Sequence, residues 1–276
     1  MSLPPVEPPL RRILVVLDAS SHSLVALQSA ADLAAKVGAD LLGLFVEDAN
    51  LLQWAGLPFA REVGGVAGVA RRLDSPAMER SLKVQAQRSR LALAAIAEPW
   101  RLRWTFRVVR GNVAEEVLAA AHEVDLVCLG KMGRQPSIGS RLGPVARSVA
   151  AGAPRSVLLT KHAIAARHGV GVLYEGTQAA VKALWAAAKL TREEGGLTVL
   201  IPAANGAAAQ LLEDEATQLL RSRGLSARYR WLDSSKTEAQ LHLLQQDRDS
   251  LVVASADSPL VCMLLEELDS PVLLVR

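Results

Sequence analysis

Short apolar runs and amphipathic stretches alternate along this chain. Arg12-Ile-Leu-Val-Val-Leu-Asp18 is unbroken apolar sequence ending in an acid, the pattern of a strand covered on both faces. Residues 20–36 carry Leu24, Leu27, Ala31, Ala34 and Ala35 on one helical face, and Gly38 closes the segment. A second strand is predicted over Asp40-Leu-Leu-Gly-Leu-Phe-Val46. Residues 47–75 show no clean period and contain Gly56, Pro58, Gly64, Gly65 and Gly68, which predicts a long loop of the kind that is a lid or a mobile segment. Ser75-Pro76 reads as an N-cap with proline in the first helical position, opening a helix that runs to about Ala97. Residues 103–109 alternate as a strand, Gly111-Asn112 turns into a helix from Val113 to about His122, and residues 125–129 form a fourth buried strand. A glycine-rich stretch, a helix from Pro144 and a strand over residues 156–159 complete a βαβα alternation, which predicts a parallel α/β sheet.

The pattern then repeats. Strands are predicted at 171–175, 197–201, 227–232, 251–254 and 271–275, with helices at 178–189, around 207–223 and around 235–246 between them. Setting Leu27 against Leu184 places Asp18 opposite Glu175 and Ser20 opposite Thr177, a period near 157 positions. That is too long for a solenoid and suits a duplicated domain. The hinge falls at 161–168, which gives domains over 10–161 and 168–276.

Composition narrows the class. Half of the residues are hydrophobic and only 4% are aromatic, so the core must be built from Ala, Val and Leu, as suits helices packed on a parallel sheet. The Pro-rich start, residues 1–10, lacks the apolar region of a signal peptide, and no apolar run approaches the roughly 20 residues that span a bilayer. Cys128 and Cys262 stand far apart in apolar stretches without metal or redox spacing, and read as buried thiols in a reducing compartment. The expectation is a cytoplasmic protein without a membrane partner. A net charge of +3 is too small to argue for specific nucleic-acid binding. The split is more informative: residues 1–161 hold 20 Lys and Arg against 14 Asp and Glu, and residues 162–276 hold 11 against 14, so +6 faces −3. This predicts that an anionic ligand belongs to the first half.

In an open parallel sheet, ligands lie at the carboxyl ends of the strands, at the point where strand order reverses. Three segments of the first half end there: Asp18-Ala-Ser-Ser-His22, Val46, and the run Gly130-Lys-Met-Gly133-Arg-Gln-Pro-Ser-Ile-Gly-Ser-Arg-Leu-Gly143-Pro144. The last has the spacing G-x2-G-x9-G between a strand and a helix. Glycines admit a phosphate close to the backbone, and a helix start offers N–H donors and partial positive charge. Lys131, Arg134 and Arg141 add full positive charges.

With the Asp18-Ala-Ser20…Ser23 opening, Gly111-Asn-Val-Ala-Glu-Glu116 before the fourth strand, and this glycine loop, the chain resembles the universal stress protein family in its tandem, two-domain form, from Arg12 to Arg276. The resemblance implies two flavodoxin-like (Rossmann-like, HUP-type) α/β domains, each a five-stranded parallel sheet of order 3-2-1-4-5. It also implies ATP or another adenine nucleotide as ligand, with Mg2+ accompanying it. Asp18, Ala19, Ser20 and Val46 would then face the nucleoside, and Gly130, Lys131, Gly133, Arg134, Gly143, Pro144 and Val145 the phosphates. Single-domain members dimerise through the last strand of the sheet. A tandem chain is therefore expected to pair residues 156–159 antiparallel with 271–275 as an intramolecular pseudo-dimer, since exposed apolar edges are normally covered. The runner-up is a further dimer of whole chains.

Two departures bear on function. Nucleotide-binding members carry Ser or Thr where this chain has Pro144, and proline has neither an N–H nor a hydroxyl to offer a phosphate. In the second half the corresponding loop is eight residues shorter, no glycine follows Ala254, and Glu175 replaces the Asp. That half reads as a degenerate domain without a nucleotide site. No Walker A, G-x-S-x-G, H-E-x-x-H or H-x-G-H motif is present, and His22 and His122 are acid–base candidates by residue type alone. Catalytic and metal sites are not expected. The leading reading is a stress-response or regulatory protein that binds an adenine nucleotide in its first domain. The alternative is a member that binds none and acts through an unknown protein partner, and a slow ATPase or nucleotidyl transferase ranks third.

Overall fold

The structure, a computed structural model, describes residues 10–55, 61–63, 70–72, 75–133, 141–164, 169–191, 196–233 and 251–276. In the first half β1 (Arg12–Val16), α1 (Ser21–Val37), β2 (Asp40–Asp48), α2 (Ala49–Ala55), β3 (Arg61–Val63), β4 (Ala70–Arg72) and α3 (Ser75–Ala97) come first. They are followed by β5 (Trp104–Gly111), α4 (Val113–Ala121), β6 (Leu126–Gly130), α5 (Pro144–Gly152) and β7 (Ser156–Thr160). The second half contributes β8 (Val170–Leu173), α6 (Gln178–Leu190), β9 (Leu197–Ala203), α7 (Gly206–Arg221), β10 (Arg228–Asp233), β11 (Leu251–Ser255), a short α8 (Val261–Glu267) and β12 (Val272–Val275).

Ten strands form one sheet in the order β10-β9-β8-β11-β12-β7-β6-β1-β2-β5. Each half therefore runs 3-2-1-4-5 among its five parallel strands, and the order reverses between β1 and β6 and between β8 and β11. The two apolar edge strands meet at the centre. β12 pairs antiparallel with β7, with Leu273 opposite Leu158, Val272 opposite Leu159 and Leu274 opposite Val157. Side chains alternate across the strands, so one apolar layer collects Ile13, Val15, Cys128, Leu158, Leu273 and Val253 with α1 and α6. The opposite layer collects Leu14, Val127, Val157, Leu159, Leu274 and Val252 with α4, α5 and α8. Both layers cross the seam between β7 and β12 without interruption, so the halves share one core.

Two segments differ from the sequence-based expectation. The stretch 47–75 is not loop throughout: α2 and the β3–β4 pair lie within it. Asp48 starts α2 by accepting the Asn50 N–H at 2.9 Å, and Leu52 packs on Phe45, Leu82 and Ala86, so a local cap and one apolar anchor suffice despite the surrounding glycines. Between β11 and β12 lies α8, whose Leu264 and Leu265 are buried. The helix expected around 235–246 lies outside the described residues. Among the described residues no helix is long and apolar enough to cross a membrane.

Candidate functional site

At the carboxyl ends of β1 and β6, three loops converge. The first is Asp18-Ala-Ser20. Asp18 Oδ1 accepts the Ser20 N–H at 2.9 Å, which folds the chain sharply and leaves Ala19 at φ 60, a left-handed conformation uncommon for a residue with a side chain. Ser20 is the N-cap of α1: its Oγ accepts the Ser23 N–H at 3.1 Å, and the Ser23 hydroxyl returns a bond to the Ser20 carbonyl at 3.0 Å. The Asp-Ala-Ser…Ser pattern is thus first of all the start of a helix. The Gly111–Glu116 pattern has the same basis. Asn112 caps α4 by accepting the Ala114 and Glu115 N–H groups, and the Glu116 side chain folds against Gly111, where a Cβ would have to displace it.

Val46, at the end of β2, is buried and sits in register with Val109 of β5. Beside it the Arg110 guanidinium bonds Glu47 Oε2 at 2.8 and 2.9 Å.

The glycines of the third loop have distinct roles. A Cβ on Gly130 would lie 2.9–3.1 Å from the Cβ, carbonyl carbon and oxygen of His22, so this glycine allows β6 to pass under the first turn of α1. Gly133 faces Asp18: among the described residues a Cβ there would meet Asp18 Oδ2 alone, at 3.6 Å. Gly143 lies over the backbone of residues 131–133 and donates its N–H to the Lys131 carbonyl at 2.7 Å, so the two ends of the loop are tied together. α5 begins at once, with Gly143 as N-cap, no side-chain cap bond, and Pro144 in the first turn. Val145 follows there, partly buried, so its N–H and that of Ala146 are the donors this helix start can present.

The structure corrects the expectation for the basic residues. Lys131 does not reach into the crevice. Its side chain is buried, and its amine donates to the carbonyl of Leu268, in the second half, at 2.6 Å. Burial draws its pKa down to about 7, with the attraction of Asp269 opposing and the repulsion of Lys161 adding. Arg141 also turns to the second half, donating to the Glu267 carbonyl at 3.1 Å with the Glu267 carboxylate at 3.8 Å. Arg134 lies outside the described residues. The charge asymmetry between the halves therefore has a structural cause: Arg147 pairs with Glu266 at 2.7 Å and Lys161 with Asp269 at 2.5 Å, so basic side chains of the first half meet acids around the end of α8. Sequence reasoning missed this cluster, whose one sequence signal was the opposite charge of the halves.

At the corresponding place in the second half, the loop after β11 bonds to the acid that follows β8. Ser258 Oγ donates to Glu175 Oε1 at 3.1 Å and also accepts the Leu260 N–H, so the shortened loop after β11 folds onto the acid that stands where the first half has Asp18. Thr177 caps α6, as Ser20 caps α1. His22 is half-buried in the first turn of α1, His122 is exposed at the end of α4, and His162 is exposed; His168 and His242 lie outside the described residues. Cys128 is buried in the core, which pushes its thiol pKa up, and Cys262 is exposed on α8, which departs from the expectation that both are buried. Among the described residues no group of three or more His, Cys, Asp or Glu side chains is placed to hold a metal.

A model of the universal stress protein family matches residues 9–161. Among solved structures, a universal stress protein from Archaeoglobus fulgidus DSM 4304 superposes with a TM-score of 0.69, covering 96% of this chain and 98% of its own at 14% identity. A putative universal stress protein from Pseudomonas aeruginosa UCBPP-PA14 gives 0.59 at 16% identity, over 96% and 93% of the two chains. A functionally unknown protein from Pseudomonas aeruginosa PAO1 gives 0.58 at 16% identity, over 96% and 92%. At these identities the likeness shows a shared fold that extends over both halves. No curated protein matches the chain.

Proposed function

The chain belongs to the universal stress protein family, and from that membership we propose that its first half binds an adenine nucleotide, ATP or a close relative, as a regulatory ligand that it does not turn over rapidly. The observation that carries this reading is the approach of Gly133 to Asp18, with Gly143 tied back to Lys131. It brings the glycine loop, the start of α5 and the β1 loop to one point, at the carboxyl ends of adjacent strands where the order reverses. The Asp18 carboxylate and the backbone at Val46 are the groups for the nucleoside. Gly133, Gly143 and the first-turn N–H groups of α5 at Val145 and Ala146 are those for the phosphates, with Mg2+ arriving on the nucleotide. The cytoplasm is the compartment in which such a ligand is abundant.

Gly133→Val tests this cleanly. A Cβ at that position meets Asp18 Oδ2 at ordinary contact distance, and the added methyls extend beyond it where the ligand is proposed to lie. The expected result by calorimetry is at least about tenfold weaker ATP binding with unchanged thermal stability. Equal affinity in variant and wild type, or none in either, would refute the reading. A second reading, a member that acts only through protein contacts, is favoured by Pro144 and by the two cations turned away from the loop. It predicts no ATP binding at any pH.

A further inference from the structure

Both ends of the glycine loop are held by the same short stretch of the second half. At the first end, Lys131 follows Gly130. Its N–H donates to the Thr160 carbonyl at the end of β7 at 2.8 Å, its carbonyl accepts from Gly143, and its amine reaches the Leu268 carbonyl just past α8. One residue thus joins strand β7, the far end of the loop and the other half of the molecule. At the second end, Arg141 stands two positions before Gly143 and donates to the Glu267 carbonyl. Next to Thr160, Lys161 pairs with Asp269, so residues 267–269 receive three cations from the first half. Carbonyls at the end of a helix are natural acceptors for such cations.

We propose that Lys131 and Arg141 are positioning residues through which the second half fixes the two ends of the loop, so that phosphate affinity in the first half depends on residues 267–269 of the second. The proposal rests on the nucleotide reading of the site. A cation committed to the end of α8 is not a phosphate ligand, but it fixes the backbone at Lys131 and Gly143 before a ligand arrives. Fixed ends matter more here than in a chain with Ser or Thr at position 144, because Pro144 supplies no donor of its own. The second half, whose own Glu175 is engaged by Ser258, thereby keeps a role in binding.

The test uses the full chain with Lys131→Met, Arg141→Gln and, as a control in the same interface but away from the loop ends, Arg147→Gln. ATP and adenosine are titrated by calorimetry, and amide exchange is followed over residues 131, 143 and 261–270. Lys131→Met and Arg141→Gln are expected to weaken ATP roughly fivefold or more while adenosine affinity stays as in wild type. Arg147→Gln leaves both unchanged. ATP slows exchange over 261–270 in the wild type and not in Lys131→Met, since coupling between two sites is reciprocal. Unchanged ATP affinity in both variants, or equal losses for ATP and adenosine, overturns the proposal. A wild type that binds no ATP removes the nucleotide reading, and the exchange arm then still decides the brace: faster exchange at 131 and 143 in ligand-free Lys131→Met supports it, and unchanged exchange overturns it.

Discussion

A lysine amine taken out of water and given a carbonyl for a partner loses much of its preference for a proton. Lys131 is in that position, with Asp269 and Lys161 as the charged groups around it, and its pKa stands at about 7. The unfolded chain, with a lysine near 10.4, binds one more proton than the folded one between those values. Stability from this group therefore rises with pH from about 7 to about 10 and is level below 7, at a limiting slope of about 1.4 kcal/mol per pH unit. Lys131→Met removes that slope. The stability of the variant relative to wild type is expected to be greatest at pH 6–7 and to fall as pH rises to 10, as read from urea midpoints across pH. A gap independent of pH would mean that the amine is not held as described. The loop glycines differ on the same scale. Gly130→Ala drives a Cβ against the backbone of His22, atoms that cannot step aside, and is expected to cost about 1–3 kcal/mol, whereas Gly133→Ala meets ordinary contact distance and is expected to be nearly neutral.

Helix starts organise the site at the next scale up. Ser20, Asn112 and Thr177 each cap a helix whose first turn borders a strand end, and Asn112→Ala is expected to lower stability by about 1 kcal/mol, measurable as a shift in the urea midpoint. At α5 the cap is Gly143 followed by proline, so Pro144→Ser adds an N–H and a hydroxyl where phosphates are proposed to lie. ATP affinity should rise roughly tenfold or more while adenosine affinity does not move; equal change in both, or in neither, contradicts phosphates at that helix start. These elements were legible because their causes are local. Unbroken apolar runs bounded by acids and glycines marked β1, β6 and β11, and Ser-, Thr- or Asn-initiated turns marked α1, α4 and α6. What was not legible depends on distant partners. The side chain of Lys131 is directed by Leu268, 137 positions away, and nothing near Lys131 in the chain announces it. α2 was masked by flanking glycines, although its anchor Leu52 is explicable once Phe45 and Leu82 are adjacent. α8 sits where a comparison of loop lengths saw only a deletion.

Across the whole molecule, a single ten-stranded sheet carries two halves of opposite charge on one shared core. The seam of β7 and β12 is apolar on both faces, and ion pairs of Arg147 with Glu266 and Lys161 with Asp269 flank it. The sheet keeps the outer face of β5 as an edge, and that edge bears Arg103, Arg107 and Arg110 in ion pairs with Asp40, Glu123 and Glu47. Such charged edges discourage further strand pairing even where each exposed pair adds little stability. Leu158→Asp, by contrast, places a carboxylate opposite Leu273 in the seam. The wild type is expected to unfold in one cooperative transition, which in the variant splits or falls sharply in midpoint, and an unaltered transition would mean that the halves fold independently of the seam. On the proposed reading the two halves differ in ligand number, because Gly133 lies beside Asp18 in the first half while the second turns Ser258 onto Glu175. The most direct measurement is the calorimetric stoichiometry of ATP on the full chain: the predicted result is one nucleotide per chain, bound at least about tenfold more weakly in Gly133→Val, and a stoichiometry of two or no binding at all would contradict a single site in the first half.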